Sequence, residues 1–228
     1  MIVISKELEI NNLNMKKAIV IGATGMVGTE LIKLLLQAEG YSEIVSFVRR
    51  PSGVSHPKLK ELIVDFDKPE KWSELIVGDV LFSTLGTTIA KAKNKDAQFN
   101  VDYNYQYWVA NYAAKNNVPN YVLISSAGAN SKSNTFYMKM KGQLEDTVKT
   151  LPFKVISILQ PGQLAGDRKE NRLGERVGLS VMYGLNKLGL FERYKPIQAI
   201  EVAKAMINTA EKTQSATYTL DKVFELAK

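Results

Sequence analysis

Along the chain, short apolar runs alternate with stretches whose apolar residues recur every three to four positions, and the two periods predict different elements. The runs at Lys17–Gly22, Glu43–Val48, Leu59–Asp65, Asp79–Thr84, Tyr121–Ser125 and Lys154–Leu159 read as buried strands. Helical spacing predicts helices at Met26–Glu39, Pro69–Leu75, Asp96–Asn116, Phe136–Leu151 and Ile200–Thr213, the last opening on Ile200, Ala203 and Ile207. Strands and helices taken in turn specify a parallel sheet covered on both faces, so the expected class is α/β with a doubly wound sheet. Pro161-Gly162 ends the sixth strand, and the charged, glycine-bearing stretch Gly166–Arg176 reads as a loop over the sheet's carboxyl edge.

The simplest division is an extension at residues 1–14 and one domain at 15–228, with roughly 164–228 forming a small carboxyl-terminal lobe on the substrate side. Met15-Lys16-Lys17, leading straight into the first strand, looks like a natural start. There is no internal repeat and no low-complexity linker.

Ala18-Ile19-Val20-Ile21 runs into Gly22-Ala23-Thr24-Gly25-Met26-Val27-Gly28, and Leu31, Leu34 and Leu35 follow at helical spacing. Glycines at a strand-to-helix turn suit a dinucleotide. Gly22 permits the tight turn, Gly25 admits a pyrophosphate, and Gly28 allows close helix–strand packing, while amides at the helix start meet the negative charge. Thr24, Met26 and Val27 complete this cofactor-binding turn, and the sheet is accordingly expected to be Rossmann-type. A purely structural turn is the alternative.

The second strand ends in Arg49-Arg50. Guanidinium groups there suit the 2′-phosphate of NADP(H), which is preferred to NAD(H), although two solvated loop arginines are the competing reading. Asp65 and Phe66 after the third strand are candidates for the adenine, and Leu85, Gly86 and Thr87 after the fourth for close backbone approach to the cofactor. Gly86 as a plain turn and Asp65 as a turn cap are the alternatives.

Tyr137 and Lys141 are four apart in a predicted helix and so share a face. An ammonium beside a tyrosine favours its phenolate and makes the side chain usable as a general acid or base. Ser126, after the fifth strand, would point into the same cleft and stabilise charge developing on a substrate oxygen. Strand alternation sends Ser125 to the opposite face.

The blocks Gly22–Gly28, Leu85–Thr88, Val101-Asp102-Tyr103, Ser125–Ala129, Tyr137-x-x-x-Lys141-Gly142 and Pro161-Gly162 together resemble the atypical short-chain dehydrogenase/reductases. The closest likeness is to the branch around the HIV Tat-interacting oxidoreductase and its bacterial relatives, and it spans roughly Lys16 to Ala210. The resemblance implies that Tyr137 is the catalytic acid/base, that Lys141 orients the nicotinamide ribose and tunes the tyrosine, and that Ser126 polarises the substrate. Relatives commonly carry arginine before the Pro-Gly pair, where this chain has Gln160. The function so implied is NADP(H)-dependent reduction or oxidation of a small carbonyl or alcohol. Epimerase or dehydratase chemistry, and cofactor-sensing regulation without turnover, are the alternatives.

Composition narrows the partners. The chain has 228 residues, enough for a substantial core, with 45% hydrophobic and 23% charged residues. It has no cysteine, which excludes disulfides, thiolate metal sites and cysteine nucleophiles. The lone histidine, His56, sits in a loop before Pro57 and reads as surface, so no metal is expected. A net charge of +7 raises an anionic partner, but the basic residues are spread along the chain, so a small-molecule substrate is expected and nucleic acid is not. Arg168 and Arg172 are candidates to meet an acidic substrate or the cofactor. Tyr105, Trp108 and Tyr112 follow helical spacing and suit a core or dimer face, leaving monomer and homodimer open. No apolar run is long enough to span a membrane, and the opening Met1-Ile2-Val3-Ile4 lacks the basic flank of a secretory leader, so the expected location is cytoplasmic.

Overall fold

The computed structural model describes residues 15–165 and 195–228. The extension at 1–14 and the loop candidates Arg168 and Arg172 lie outside the described residues.

Seven strands form one parallel sheet: β1 (Lys16–Ile21), β2 (Tyr41–Val48), β3 (Leu59–Ile63), β4 (Val80–Ser83), β5 (Asn120–Ile124), β6 (Val155–Gln160) and, later in the chain, β9 (Ala216–Thr219). Their spatial order is β3-β2-β1-β4-β5-β6-β9, so the order reverses between β1 and β4. In such sheets ligands sit outside the carboxyl ends at the reversal point. A separate two-stranded pairing joins β7 (Leu164–Ala165) to β8 (Ile197–Gln198). The expected doubly wound α/β class is the one observed, and all six strands read from the sequence are present within a few residues of their expected ends.

The central strands are buried through their apolar runs: Ala18 to Ile21 and Val80 to Phe82 have no exposure. Side chains alternate between two cores. On one face, Ala18, Val20, Val80 and Phe82 pack with Leu31 and Leu35 of α1 (Met26–Gln37). On the other, Ile19, Ile21, Leu81 and Tyr121 pack with Val109 and Ala113 of α4 (Tyr105–Lys115) and with Leu144 and Val148 of α5 (Phe136–Val148).

The first face is completed by α6 (Ala199–Thr209), whose Val202, Ala203 and Met206 join the α1 core, and by α7 (Asp221–Leu226). Thus residues 199–228 of the expected carboxyl-terminal lobe pack onto the main sheet.

The helix expected to run unbroken over Asp96–Asn116 is divided. The short helices α2 (Ile89–Ala92) and α3 (Lys95–Phe99) lead into a π-turn at Asn100–Asn104 before α4 begins. Asn100, Asp102 and Asn104 favour this break, because short polar side chains compete with the helical ladder. Asn104 Nδ2 donates to Asn100 Oδ1 at 2.9 Å, and Gln106 Nε2 donates to the Asp102 carbonyl at 2.7 Å.

Candidate dinucleotide site

The carboxyl edge is built first by glycine. Gly22 has φ +84°, and a Cβ there would lie 2.6 Å from both Leu85 N and Thr84 Oγ1. A Cβ on Gly28 would fall into the Gly22 carbonyl, so β1 and the first turn of α1 touch backbone to backbone. Gly25 N donates to Gly22 O at 2.9 Å and closes the turn. Gly25 is also the N-cap of α1, and no side chain caps that helix, while Thr24 and Gly25 are exposed. Met26 is half-buried and Val27 is committed to the core, so Val27 serves the edge only through its backbone. An uncapped helix start behind a cradle that side chains would fill is a fitting seat for a pyrophosphate.

Arg49 and Arg50 leave β2 at the same edge, both exposed. Arg49 lies close enough to influence the Tyr105 phenol. That phenol donates to Asp67 Oδ1 at 2.6 Å, and burial, then the Asp67 bond, pushes it up to about 12 despite the opposing pull of Arg49.

Asp65 uses its side chain locally: Oδ1 accepts from Asp67 N at 3.0 Å, while its carbonyl accepts from Trp72 Nε1 at 2.9 Å. Phe66 turns inward, its ring centroid 5.4 Å from those of both Trp72 and Tyr105. The Phe66 side chain therefore builds the end of β3, whereas the Asp65 side chain stays exposed there.

After β4, Thr84 Oγ1 donates to Ile21 O at 2.9 Å, tying the two strands at the point of reversal. Leu85 is half-buried, Gly86 is exposed, and Thr87 N donates to Asp102 Oδ2 at 2.8 Å.

Tyr137 and Lys141 lie one turn apart on α5. Tyr137 is half-buried, whereas Lys141 is only 3% exposed, with Nζ donating to Ile124 O at 3.4 Å at the end of β5. Ser126 is half-buried and accepts from Ala129 N through its carbonyl. Ser125 is buried instead, its Oγ without a hydrogen-bond partner among the described residues. Gly142 lets α5 approach this loop, since a Cβ there would lie 2.6 Å from Asn130 Cα.

Gln160 donates through Nε2 to both oxygens of the buried Glu145 at 2.8 and 2.9 Å.

Sequence reasoning passed over Asp102, whose carboxylate is 1% exposed and 4.0 Å from Lys141 Nζ. The signal was legible: Asp102, Gln106, Val109 and Ala113 recur at three-and-four spacing on the buried stripe, where polar side chains are unexpected.

Residues 22–213 match the model of a family described as NAD(P)H-binding, over the same span that holds the glycine turn and Lys141. The chain belongs to the NAD(P)H-binding family. Within it, curated relatives include "Protein FMP52, mitochondrial" of Candida albicans, 35% identical over 199 residues that cover 85% of this chain and 87% of that protein. The protein of the same name in Candida glabrata is 33% identical over 217 residues, covering 90% and 91%.

Among solved structures, the Helicobacter pylori ADP-L-glycero-D-manno-heptose-6-epimerase superposes with a TM-score of 0.67 at 16% identity, covering 91% of this chain and 77% of that one. A Bordetella bronchiseptica enzyme, WbmH, in complex with NAD+ gives 0.65 at 17%, covering 90% and 76%. A short-chain dehydrogenase/reductase superfamily protein of Agrobacterium tumefaciens with bound NAD gives 0.65 at 15%, covering 90% and 77%. At such identities the likeness is one of fold.

These relatives correct one expectation. The cytoplasmic location drawn from the sequence is overturned by the FMP52 proteins of several yeasts, which are named as mitochondrial. The reasoning failed because an absence of cysteine and of a long apolar run does not separate the cytoplasm from a mitochondrion. Among the described residues no helix is long and apolar enough to cross a membrane.

Proposed function

We propose that the protein is an NADP(H)-dependent oxidoreductase of the short-chain dehydrogenase/reductase kind, acting on a small carbonyl or alcohol, in the atypical branch around the Tat-interacting oxidoreductase. The observation that carries this reading is the convergence at one sheet edge of the glycine cradle and the Tyr137–Lys141 face, with Lys141 buried against the end of β5. Amides at the start of α1 would receive the pyrophosphate, and Arg49 and Arg50 the 2′-phosphate that distinguishes NADP(H). The backbone of Leu85, Gly86 and Thr87 would line the cofactor after β4, and Asp65 and Phe66 would border the adenine.

The bound dinucleotide supplies the hydride chemistry. The Tyr137 hydroxyl exchanges a proton with the substrate oxygen, and Ser126 donates a hydrogen bond to that oxygen as its charge changes. Lys141 would hold the ribose hydroxyls.

The test is NADPH consumption with a panel of small aldehydes and ketones, comparing the unaltered protein with Tyr137→Phe. Turnover lost by at least about a hundredfold, with NADPH affinity unchanged, is the expected result. An unaltered protein that binds NADPH but reduces nothing on the panel would instead favour a cofactor-sensing role.

A further inference from the structure

Lys141 is a buried cation, and a buried ammonium persists only with a counter-charge and hydrogen-bond acceptors. It donates to the Ile124 carbonyl at 3.4 Å and lies 4.0 Å from the Asp102 carboxylate. Asp102 is itself 1% exposed and is held on every side. Its Oδ2 accepts from Thr87 N at 2.8 Å, and its carbonyl accepts from Gln106 Nε2 at 2.7 Å. Gln106 Oε1 in turn accepts from Ser83 Oγ at 2.7 Å, at the end of β4. Gln98 Nε2 donates to Thr87 O at 3.2 Å, so the loop after β4 is fixed from both sides. The carboxylate projects from the π-turn at Asn100–Asn104, and such turns are frequent at functional sites.

We propose that Asp102 is a positioning residue, the counter-charge that holds the Lys141 ammonium in place and ties it to the Gly86–Thr87 cofactor loop, so that both meet the nucleotide in a fixed relation. The inference rests on the nucleotide-binding reading above. Asp102 acts through Lys141 and touches neither substrate nor hydride. At 4.0 Å the carboxylate attracts the ammonium without closing a short hydrogen bond, which leaves ammonium protons for the ribose hydroxyls.

The experiment is a double-mutant cycle read by NADPH calorimetry and by thermal melting. Asp102→Asn preserves shape and an acceptor for Thr87 N but removes the charge, so a merely structural support role predicts a variant indistinguishable from the unaltered protein. The positioning role predicts NADPH affinity about tenfold weaker and melting about 10 °C lower. Asp102→Glu recovers part of the affinity, because the charge returns.

Adding Lys141→Met to Asp102→Asn restores melting and weakens binding no further than Lys141→Met alone. Unchanged binding in Asp102→Asn, or losses that add in the double variant, overturn the proposal. If Asp102→Asn alone does not fold, the double variant decides: folding supports the pairing, and failure to fold refutes it. Failure of the unaltered protein to bind NADPH removes the nucleotide reading itself, and is distinguishable from a loss confined to the variants.

Discussion

Gly25 and Gly28 belong to one turn yet answer to different demands, and a methyl group on each separates them. In Gly28→Ala the added carbon collides with the Gly22 carbonyl, lying 2.8 Å from its carbon atom, where carbon pairs prefer 3.5–4.0 Å. Neither side can yield cheaply. Gly22 is pinned at φ +84° against Thr84 and Leu85, and α1 is anchored by the fully buried Leu31 and Leu35. Helix and strand must part by about 1 Å, at a cost of about 3 kcal/mol, the upper end for overpacking. For a chain of this size that lowers the melting temperature by about 6–12 °C.

In Gly25→Ala the nearest atom is 3.2 Å away, and the backbone at φ −79°, ψ 171° suits any residue. Melting should shift by less than about 2 °C. The new methyl, however, stands on the exposed floor of the cradle, and NADPH affinity should fall at least about tenfold. Thermal melting and calorimetry on both variants check this. A Gly28→Ala protein that melts like the unaltered one refutes the packing argument, and a Gly25→Ala protein that binds NADPH normally refutes the cradle.

Three further outcomes are expected. Replacing both exposed arginines, Arg49→Ser with Arg50→Ser, should reduce the preference for NADPH over NADH by about tenfold or more while leaving melting unchanged; an unaltered preference in competition titrations would assign the phosphate elsewhere. Gln160→Leu removes both donors from the buried Glu145 carboxylate, whose other neighbour, Lys149 Nζ, is 3.8 Å away. It should cost about 2 kcal/mol and lower melting by roughly 4–8 °C, a loss that Glu145→Leu should recover, and an unchanged melting curve would contradict it. Tyr105 is held near 12, above its ordinary value of 10.0, first by burial and then by the Asp67 bond. Its contribution to stability is therefore complete below pH 10.0 and lost as pH rises toward about 12. Ultraviolet titration of the protein against Tyr105→Phe should place this phenol late, with Asp67→Ala bringing it earlier; ionisation near 10 in the unaltered protein would refute the assignment.

The features legible in the sequence are those written in local periodicity or in a backbone demand. Unbroken apolar runs located the six strands because central parallel strands are buried on both faces. Gly22 was readable because glycine suits a left-handed turn, and Gly28 because only glycine lets the helix approach the Gly22 backbone so closely. The strand Ala216–Thr219 escaped notice because it is short and half-exposed, with threonines on its open side, and its pairing to β6 is a long-range event. The break in the third expected helix was missed because the aromatic spacing of Tyr105, Trp108 and Tyr112 masked the competing polar groups of Asn100, Asp102 and Asn104. Phe66 follows the third strand as read, but its inward turn depends on Trp72 and Tyr105, which no local pattern reveals. Similarly, the burial of Lys141 and its pairing with Asp102 arise from two helices meeting at the end of β4, so spacing within either helix could identify the residues but not their contact.

The central claim, a dinucleotide seated on the glycine turn with its 2′-phosphate toward Arg49 and Arg50, is tested most directly by calorimetric titration of the unaltered protein with NADPH and, separately, NADH. Saturable binding of one nucleotide per chain, at least about tenfold tighter for NADPH, is the predicted result. No heat from either nucleotide would contradict it.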